Sequence, residues 1–246
     1  MISYLGGITD PLTGKIINVK IPNQKELSYD AAFTGNLDVL KWCSKNNFKL
    51  DSRICEVAAI KGHFEIFKWA MQNYCKFSID EINNALAYGN KQMVKWVLDM
   101  GFAIDASTCA LVAQHGRLSV LKQLRNKSCD WDSRTCKRSA KNGHFKLLKW
   151  AHKNGCKLDS DTIFLTVSFN RLDILKWLRK NKCDWDNRLG SECISYNNIE
   201  MLDWIINNGY DYDNHFLKSL NDSTEPDIIE WREINIHRFK KINQVL

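Results

Sequence analysis

Apolar and polar residues alternate along this chain with helical spacing, and the same arrangement returns at a fixed interval. The string HFKLLKWAHKN at 144–154 places Phe145, Leu148 and Trp150 on one broad apolar stripe, which predicts an amphipathic helix. A closely similar string, HFEIFKWAMQN, stands 81 residues earlier at 63–73, and 81 is three times 27. A fixed period of this length indicates that one small helical structure is built repeatedly.

Tryptophan marks the period. Seven tryptophans lie on a lattice with a step of 27 residues, and Gln123 occupies the lattice point that lacks one. These tryptophans are Trp42, Trp69, Trp96, Trp150, Trp177, Trp204 and Trp231. The lattice divides the chain into eight repeats over 24–239, with an N-terminal segment at 1–23 and a tail at 240–246. The eighth repeat departs from the pattern, and we interpret it as a C-terminal cap.

Each repeat predicts a pair of helices. In the repeat at 132–158, Asp132 and Ser133 are N-cap candidates for a short first helix that ends at Gly143, and the second helix follows. Glycine and asparagine tolerate the left-handed backbone that a helix C-terminus requires, and one of them stands at this point in seven repeats. They are Gly35, Gly62, Gly89, Gly116, Gly143, Asn170 and Asn197.

Leucine-rich repeats have a similar length and are the main alternative fold. They need a strand that leads into a buried asparagine ladder, and asparagine does recur in this chain. Here each asparagine follows an apolar stripe of helical period, so a helix cap explains the recurrence better. The recurring residues are Asn46, Asn73, Asn154, Asn181 and Asn208.

Isolated helix pairs of this size cannot bury their apolar stripes, whereas stacked copies can. The sequence therefore predicts an all-α solenoid of eight helix pairs, with the lattice tryptophans in a column inside the stack. The segment at 1–23 breaks the pattern. Its Pro11 and Gly14 favour a turn between two short strands, which predicts a hairpin that caps the first repeat.

Composition and the cysteines limit the class of protein further. Hydrophobic residues make up 44 % of the chain, enough to bury a core, and no apolar run reaches the roughly 18 residues of a membrane span. The first residues lack the pattern of a signal peptide. The nine cysteines are odd in number and contain no C-x-x-C, which argues against a disulfide framework and a zinc site. We therefore expect an intracellular, cytoplasmic protein without a metal or other cofactor.

The repeat resembles the ankyrin repeat. The string AAIKGHFEIF at 58–67 is the clearest copy of that family's pattern, in which two small residues, two variable residues and Gly-His precede an apolar helix. Ankyrin repeats have about 33 residues. The repeats here have 27, and the shortfall lies where the family places its β-hairpin. The family's Thr-Pro-Leu-His start is also absent. The short repeat is similar to that of ankyrin-type proteins of large DNA viruses.

This resemblance implies an all-α, ankyrin-like solenoid with reduced inter-repeat hairpins. It implies a non-catalytic scaffold that binds a protein partner on the concave face of its first helices, with a host protein and the host cytoplasm as partner and compartment. It also implies that His63 and His144, directly after the turn glycine, tie the turn to the backbone. We expect a monomer.

The two positions before the turn glycine vary strongly between repeats, so packing does not dictate them. Several hold aromatic residues, which are typical of interface hot spots. The predicted partner-binding residues are Phe33, Lys61, Tyr88, His115, Asn142, Phe169 and Tyr196.

A ladder of lysines suggests an alternative function. One lysine precedes the lattice position in six repeats, and such a stripe is a candidate site for nucleic acid or acidic lipid headgroups. The ladder consists of Lys41, Lys68, Lys95, Lys122, Lys149 and Lys176. Asp38 and Asp173 each lie three residues before a ladder lysine, so a solvated helix face explains the pattern more simply. Aromatic residues that would stack on bases are not interleaved with these lysines, so we do not expect nucleic acid as a partner.

A second alternative is an adaptor that recruits substrates for ubiquitin ligation, as some viral ankyrin proteins are. The tail KKINQVL at 240–246 is too short for the separate terminal motif that such adaptors usually carry. No repeat gains a catalytic group that its neighbours lack, so we do not expect an enzyme.

Overall fold

The computed structural model describes residues 8–9, 16–17, 24–48, 50, 53–73 and 79–239. The chain forms two compact bodies, an N-terminal body at Met1–Ala103 and a C-terminal body at Ile104–Leu246. The described residues contain sixteen α-helices, which correspond to the eight predicted helix pairs.

The N-terminal body begins with two very short strands, β1 (Ile8–Thr9) and β2 (Ile16–Ile17). They pair antiparallel, with Ile8 opposite Ile17 and Thr9 opposite Ile16. The turn predicted between them lies outside the described residues. Six helices follow: α1 (Gln24–Thr34), α2 (Leu37–Lys45), α3 (Arg53–Lys61), α4 (Phe64–Asn73), α5 (Ile79–Tyr88) and α6 (Lys91–Asp99).

The C-terminal body contains ten helices and a final 3₁₀ turn. They are α7 (Ala106–Gln114), α8 (Leu118–Asn126), α9 (Ser133–Lys141), α10 (Phe145–Lys153), α11 (Ser160–Ser168), α12 (Leu172–Lys180), α13 (Leu189–Ser195), α14 (Ile199–Asn207), α15 (Asn214–Asp222), α16 (Pro226–Asn235) and the 3₁₀ turn at Ile236–Arg238. Pro226 is the first residue of α16, where its missing N–H costs no helical hydrogen bond.

Successive helix pairs stack through their odd-numbered first helices. In the N-terminal body α3 contacts both α1 and α5, and in the C-terminal body α9 contacts α7 and α11 while α13 contacts α11 and α15. Each first helix also contacts the second helix of its own pair. The predicted all-α array of stacked helix pairs is therefore confirmed within each body.

Aspartates start four of the first helices in the C-terminal body, as predicted for Asp132. The backbone of Asp132 is extended, and its carboxylate accepts a hydrogen bond of 2.9 Å from the backbone N–H of Arg134, so α9 begins at Ser133. Asp105, Asp159 and Asp213 cap α7, α11 and α15 in the same way. A cap of this kind stabilises a helix by about 1 kcal/mol.

The turns between first and second helices confirm six of the seven predicted left-handed residues. Gly35, Gly62, Gly116, Gly143, Asn170 and Asn197 have positive φ. The prediction is wrong at Gly89. Its backbone N–H donates to the carbonyl of Ala85 at 2.9 Å, as in a continuing helix, and φ is not positive. Glycine is required there for space, because an added Cβ would overlap the backbone carbonyl oxygen of Ala85 and lie 2.5 Å from the sulfur of Met93.

The recurring asparagines cap the second helices, which excludes the asparagine ladder of a leucine-rich repeat. Each side-chain amide donates to the carbonyl of the lattice tryptophan four residues earlier, over 2.7–2.8 Å. The pairs are Asn46–Trp42, Asn73–Trp69, Asn154–Trp150, Asn181–Trp177 and Asn208–Trp204. Asn235 makes the same bond to Trp231, so the pattern extends to α16.

The lattice tryptophans do not form a fully buried column, which corrects the prediction. Six of the seven are half-buried, and only Trp231 is buried, with 6 % of its surface exposed. Smaller side chains fill the centre of the stack; Leu148 and Ala151 beside Trp150 are completely buried. The tryptophan rings lie at the edge of the core and make edge-on contacts with aromatic rings, as in the pair Phe145–Trp177 with centroids 5.9 Å apart.

Candidate functional site

The predicted partner-binding residues lie where each first helix ends and the tight turn begins. Four of them are aromatic and well exposed: Phe33 by 45 %, Tyr88 by 39 %, Phe169 by 42 % and Tyr196 by 60 %. Lys61 is also exposed, whereas His115 and Asn142 are half-buried. We call this set, together with Ile60, the turn surface. It has a portion in each body.

The turn surface of the N-terminal body is an aromatic and aliphatic patch with one cation. The rings of Tyr29 and Phe33 stack with centroids 6.4 Å apart and planes inclined by 27°. The ammonium of Lys61, from the next repeat, lies 3.9 Å above the centroid of Phe33. Ile60, at the position equivalent to Phe33, is exposed by 45 %. The patch therefore offers apolar area with a positive charge held over it.

The C-terminal body contains a similar contact in which the lysine comes from the repeat before the aromatic ring rather than the one after it. The ammonium of Lys141 lies 4.6 Å above the centroid of Phe169. Asn142 differs, because its side-chain amide donates to the carbonyl of Arg138 at 2.8 Å and so caps α9. Tyr196 follows α13 and lies beside an open pocket lined also by Asn170, Asn198 and Glu200.

Side chains after the turn fix the backbone of the turn surface. Nε2 of His63 lies 3.1 Å from the carbonyl oxygen of Phe33, and Nε2 of His144 lies 2.9 Å from that of Gln114. The role that the ankyrin resemblance implied for these histidines is therefore observed. Each imidazole reaches from its own repeat to the turn of the preceding one.

Other residue types take the same role, which reasoning from the histidines alone missed. The side-chain amide of Asn90 donates to the carbonyl of Gly62 at 2.9 Å, and Nε of Arg171 donates to that of Lys141 at 3.5 Å. Both residues stand at the repeat position of His63, so the 27-residue alignment was the signal that pointed to them.

The turn of the fourth repeat carries a cluster of basic groups. Burial lowers the pKa of His115, and the nearby His144, Arg117 and Arg138 lower it further. His115 is therefore neutral at neutral pH, since its ordinary pKa is already about 6.5. Burial also lowers the pKa of the Arg117 guanidinium, which still remains charged.

The lysine ladder lies on the second helices, away from the helix ends that form the turn surface. Lys68 is half-buried and the other five ladder lysines are exposed. Two of them contact aromatic rings: the Lys149 ammonium lies 3.8 Å from the centroid of Phe145, and that of Lys122 lies 5.7 Å from the centroid of Trp150.

An ion-pair network that was not predicted from the sequence joins three repeats of the C-terminal body. The Lys137 ammonium lies 3.0 Å from Asp159 and 2.9 Å from Asp161. Arg188 lies 3.1 Å from Asp161 and 2.6 Å from Asp186. The hydrogen bond from Arg188 lowers the pKa of Asp186. The sequence signal that could have predicted this network is the presence of opposite charges 24 to 27 residues apart.

A Ser–His contact in the C-terminal body belongs to the packing between repeats. Ser191 Oγ lies 2.8 Å from His215 Nδ1. The two residues are 24 apart, as are Ser168 and Glu192, which hydrogen-bond at 2.6 Å between the preceding first helices. The described part of the chain contains no group of three or more His, Cys, Asp and Glu side chains that could hold a metal ion.

Comparison with known proteins shows similarity to solved structures only. No protein family model matches this chain, and no curated protein matches it. Among solved structures, the crystal structure of the human ASB11 ankyrin repeat domain is similar with 13 % sequence identity and a TM-score of 0.44. The match covers 82 % of this chain and 96 % of that domain. None of the helices in the described ranges is both long and apolar enough to cross a membrane.

Proposed function

We propose that this chain is a non-catalytic, ankyrin-like scaffold that binds a protein partner through its turn surface. One observation carries the proposal. Of the ten most exposed large apolar side chains in the described residues, five lie on this surface. They are Phe33, Ile60, Tyr88, Phe169 and Tyr196. Exposed apolar residues that recur at two adjacent positions of the repeat are typical of an interaction site, and aromatic ones contribute most to binding.

The order of the surrounding backbone supports the proposal. The imidazoles of His63 and His144 hold the turns, and Lys61 and Lys141 hold the rings of Phe33 and Phe169. Binding to such a surface costs little conformational entropy on the side of this chain, because its contacting groups are already fixed.

The finer parts of the proposal rest on the sequence resemblance. The partner face is the concave one in the ankyrin family, and similarity to viral proteins makes a host protein in the host cytoplasm the partner that we expect. The lysine ladder and the adaptor for ubiquitin ligation stay as alternatives, which the following experiment separates.

A nuclease-treated pull-down from cell lysate tests the proposal. The baits are the wild type and a variant with Phe33, Tyr88, Phe169 and Tyr196 all changed to Ala. The matched control changes Met100 and Ile234 to Ala, because these side chains are exposed by 50 % and 66 % but lie elsewhere. Far-UV circular dichroism verifies that each bait keeps its helices.

We expect a protein that the wild type and the control capture and the four-residue variant does not. Equal capture by all three baits would exclude the turn surface. Capture that disappears only when Lys41, Lys95, Lys122 and Lys176 are changed to Ser would favour the lysine ladder. Recovery of a ubiquitin ligase among the captured proteins would favour the adaptor.

A further inference from the structure

Cysteines recur in pairs whose members lie on different elements of the same repeat. Cys109 lies on α7 and Cys129 follows α8, 20 residues later, with their sulfurs 3.4 Å apart. Cys136 on α9 and Cys156 after α10 have the same spacing, and they too share a hydrogen bond. All four are free thiols and nearly or completely buried.

A third first-helix cysteine shows that a cysteine at this repeat position can form a disulfide. Cys55 on α3 stands at the repeat position of Cys109 and Cys136, and it is disulfide-bonded. The expectation that this chain avoids disulfides is therefore wrong at Cys55. Cys75 follows Cys55 by 20 residues in the sequence and lies outside the described residues.

We infer that Cys109–Cys129 and Cys136–Cys156 are redox modification sites, two dithiol pairs that a small-molecule disulfide such as glutathione disulfide converts to internal disulfides. The sulfurs of Cys109 and Cys129, 3.4 Å apart, need to approach to the bond length of about 2.05 Å. This inference is independent of the partner and of the turn surface.

The loop cysteine of each pair is the first nucleophile. The hydrogen bond from Cys109 lowers the pKa of the Cys129 thiol, and the bond from Cys136 does the same for Cys156. Cys129 and Cys156 lie in connections between helix pairs, which open more readily than the helices that hold their partners.

The reaction is a two-step thiol–disulfide exchange. The Cys129 thiolate attacks one sulfur of glutathione disulfide, which forms a mixed disulfide and releases one glutathione thiolate. The hydrogen bond to Cys129 and burial raise the pKa of Cys109 in the dithiol, and the first cause ends when Cys129 becomes a mixed disulfide. Cys109 then loses its proton, attacks the Cys129 sulfur and releases the second glutathione thiolate. Two electrons pass from the protein to the oxidant, and the two thiol protons end on two molecules of reduced glutathione. The pair Cys136–Cys156 reacts in the same way.

The chain contains a natural control. Cys183 stands at the repeat position of Cys129 and Cys156, and its thiol donates to the carbonyl of Asp159 at 3.3 Å, as theirs do to Asp105 and Asp132. The equivalent first-helix position holds Ile163, so Cys183 has no dithiol partner in its repeat.

Peptide mapping tests the inference. The full chain is equilibrated with reduced and oxidised glutathione, either in the folded state or during refolding from urea, then quenched with acid, alkylated and digested with trypsin. The four thiols fall on separate peptides, 96–117, 128–134, 135–137 and 154–157. We expect the links 109–129 and 136–156, a mass loss of two hydrogen atoms for each, and an alkylated Cys183.

Two variants sharpen the result. Ile163→Cys should add a link to Cys183, and Cys183→Ser should leave both expected links intact. Oxidation of the wild type should raise the Tm by roughly 5–10 °C for each ring closed, and dithiothreitol should reverse the rise. Links between loop cysteines, such as 129–156, would overturn the inference. So would thiols that all remain alkylatable after refolding in the oxidising buffer.

Discussion

Gly116 and His144 are packed so closely that their contributions to stability should be coupled. Gly116 has a φ of +67°, and a Cβ added to it would lie 2.6 Å from Nδ1 of His144. The imidazole cannot move away without losing its 2.9 Å contact with the carbonyl of Gln114. Gly116→Ala therefore combines a backbone cost with a steric one.

The two costs can be estimated separately. The left-handed backbone costs an alanine about 1–2 kcal/mol, and the smaller entropy of the unfolded chain offsets about 0.4–1 kcal/mol of this. Displacement of the imidazole adds about 1 kcal/mol for the hydrogen bond and about 1 kcal/mol or more for overpacking. We expect Gly116→Ala to lower the free energy of unfolding by about 2–4 kcal/mol.

Gly155 provides the matched control, because its φ is +92° and nothing lies within 4 Å of an added Cβ. Gly155→Ala should cost only the backbone part, about 1 kcal/mol. In a His144→Ala background, Gly116→Ala should fall to the same value, which gives a coupling energy of about 1–3 kcal/mol.

Urea unfolding followed by circular dichroism measures the four variants of this set (Gly116→Ala, Gly155→Ala, His144→Ala and the double variant) and the wild type. Equal costs at Gly116 and Gly155 would refute the steric argument. Additive effects of Gly116→Ala and His144→Ala would refute it as well.

Three further predictions concern single residues of the C-terminal body. Asn181→Ala removes the 2.8 Å hydrogen bond to the Trp177 carbonyl and should lower the free energy of unfolding by about 0.5–1.5 kcal/mol in thermal or urea unfolding; an unchanged Tm would contradict the cap. Lys182 has a φ of +61°, so Lys182→Gly should raise the free energy of unfolding by about 0.5–1 kcal/mol, and a loss would show that the lysine side chain stabilises the turn. Arg188 lowers the pKa of Asp186 below its unfolded value, so this carboxylate stabilises the fold above about pH 4 and the contribution is lost as pH falls through the folded-state pKa. Asp186→Asn should therefore weaken the acid dependence of stability, and urea unfolding at a series of pH values that gave the same dependence for both proteins would contradict this.

The helix pairs and their ends could be predicted from sequence because the signals are local and recur eight times. Asp132 caps its own helix within two residues, and Asn181 caps within four. Gly143 has a left-handed backbone because the turn in which it lies requires one. Repetition then makes chance matches rare, because a residue type that returns every 27 positions usually has the same structural cause.

The burial of the tryptophans could not be predicted in this way. A large apolar residue on a helical stripe is compatible with the centre of a core or with its edge, and neighbours from other repeats decide between them. Trp177 meets Phe145 at 5.9 Å and His152 at 5.5 Å, both from the preceding repeat. The prediction of positive φ at Gly89 was wrong for a related reason. Lack of space beside Met93 requires glycine just as positive φ does, so the residue type alone does not distinguish the two causes.

For the candidate site, the sequence could predict which residues take part but not their exposure or their contacts. Variation between repeats located Phe169 and Tyr196, and the structure gives their exposure. Contacts between repeats, such as Lys141 over Phe169 and Lys61 over Phe33, depend on how one helix pair lies on the next. Sequence spacing within one repeat contains no information about that arrangement.

The bonds from His63, Asn90, His144 and Arg171 to the preceding turn also determine how damage spreads. Each of these four side chains satisfies a backbone carbonyl of the preceding repeat, so unfolding of its own repeat leaves that carbonyl without its hydrogen-bond partner. Unfolding inside either body then carries a nearest-neighbour penalty, and fraying from an end is favoured over the opening of an interior repeat. Within a body, these single side chains therefore couple the stability of one repeat to that of its neighbour.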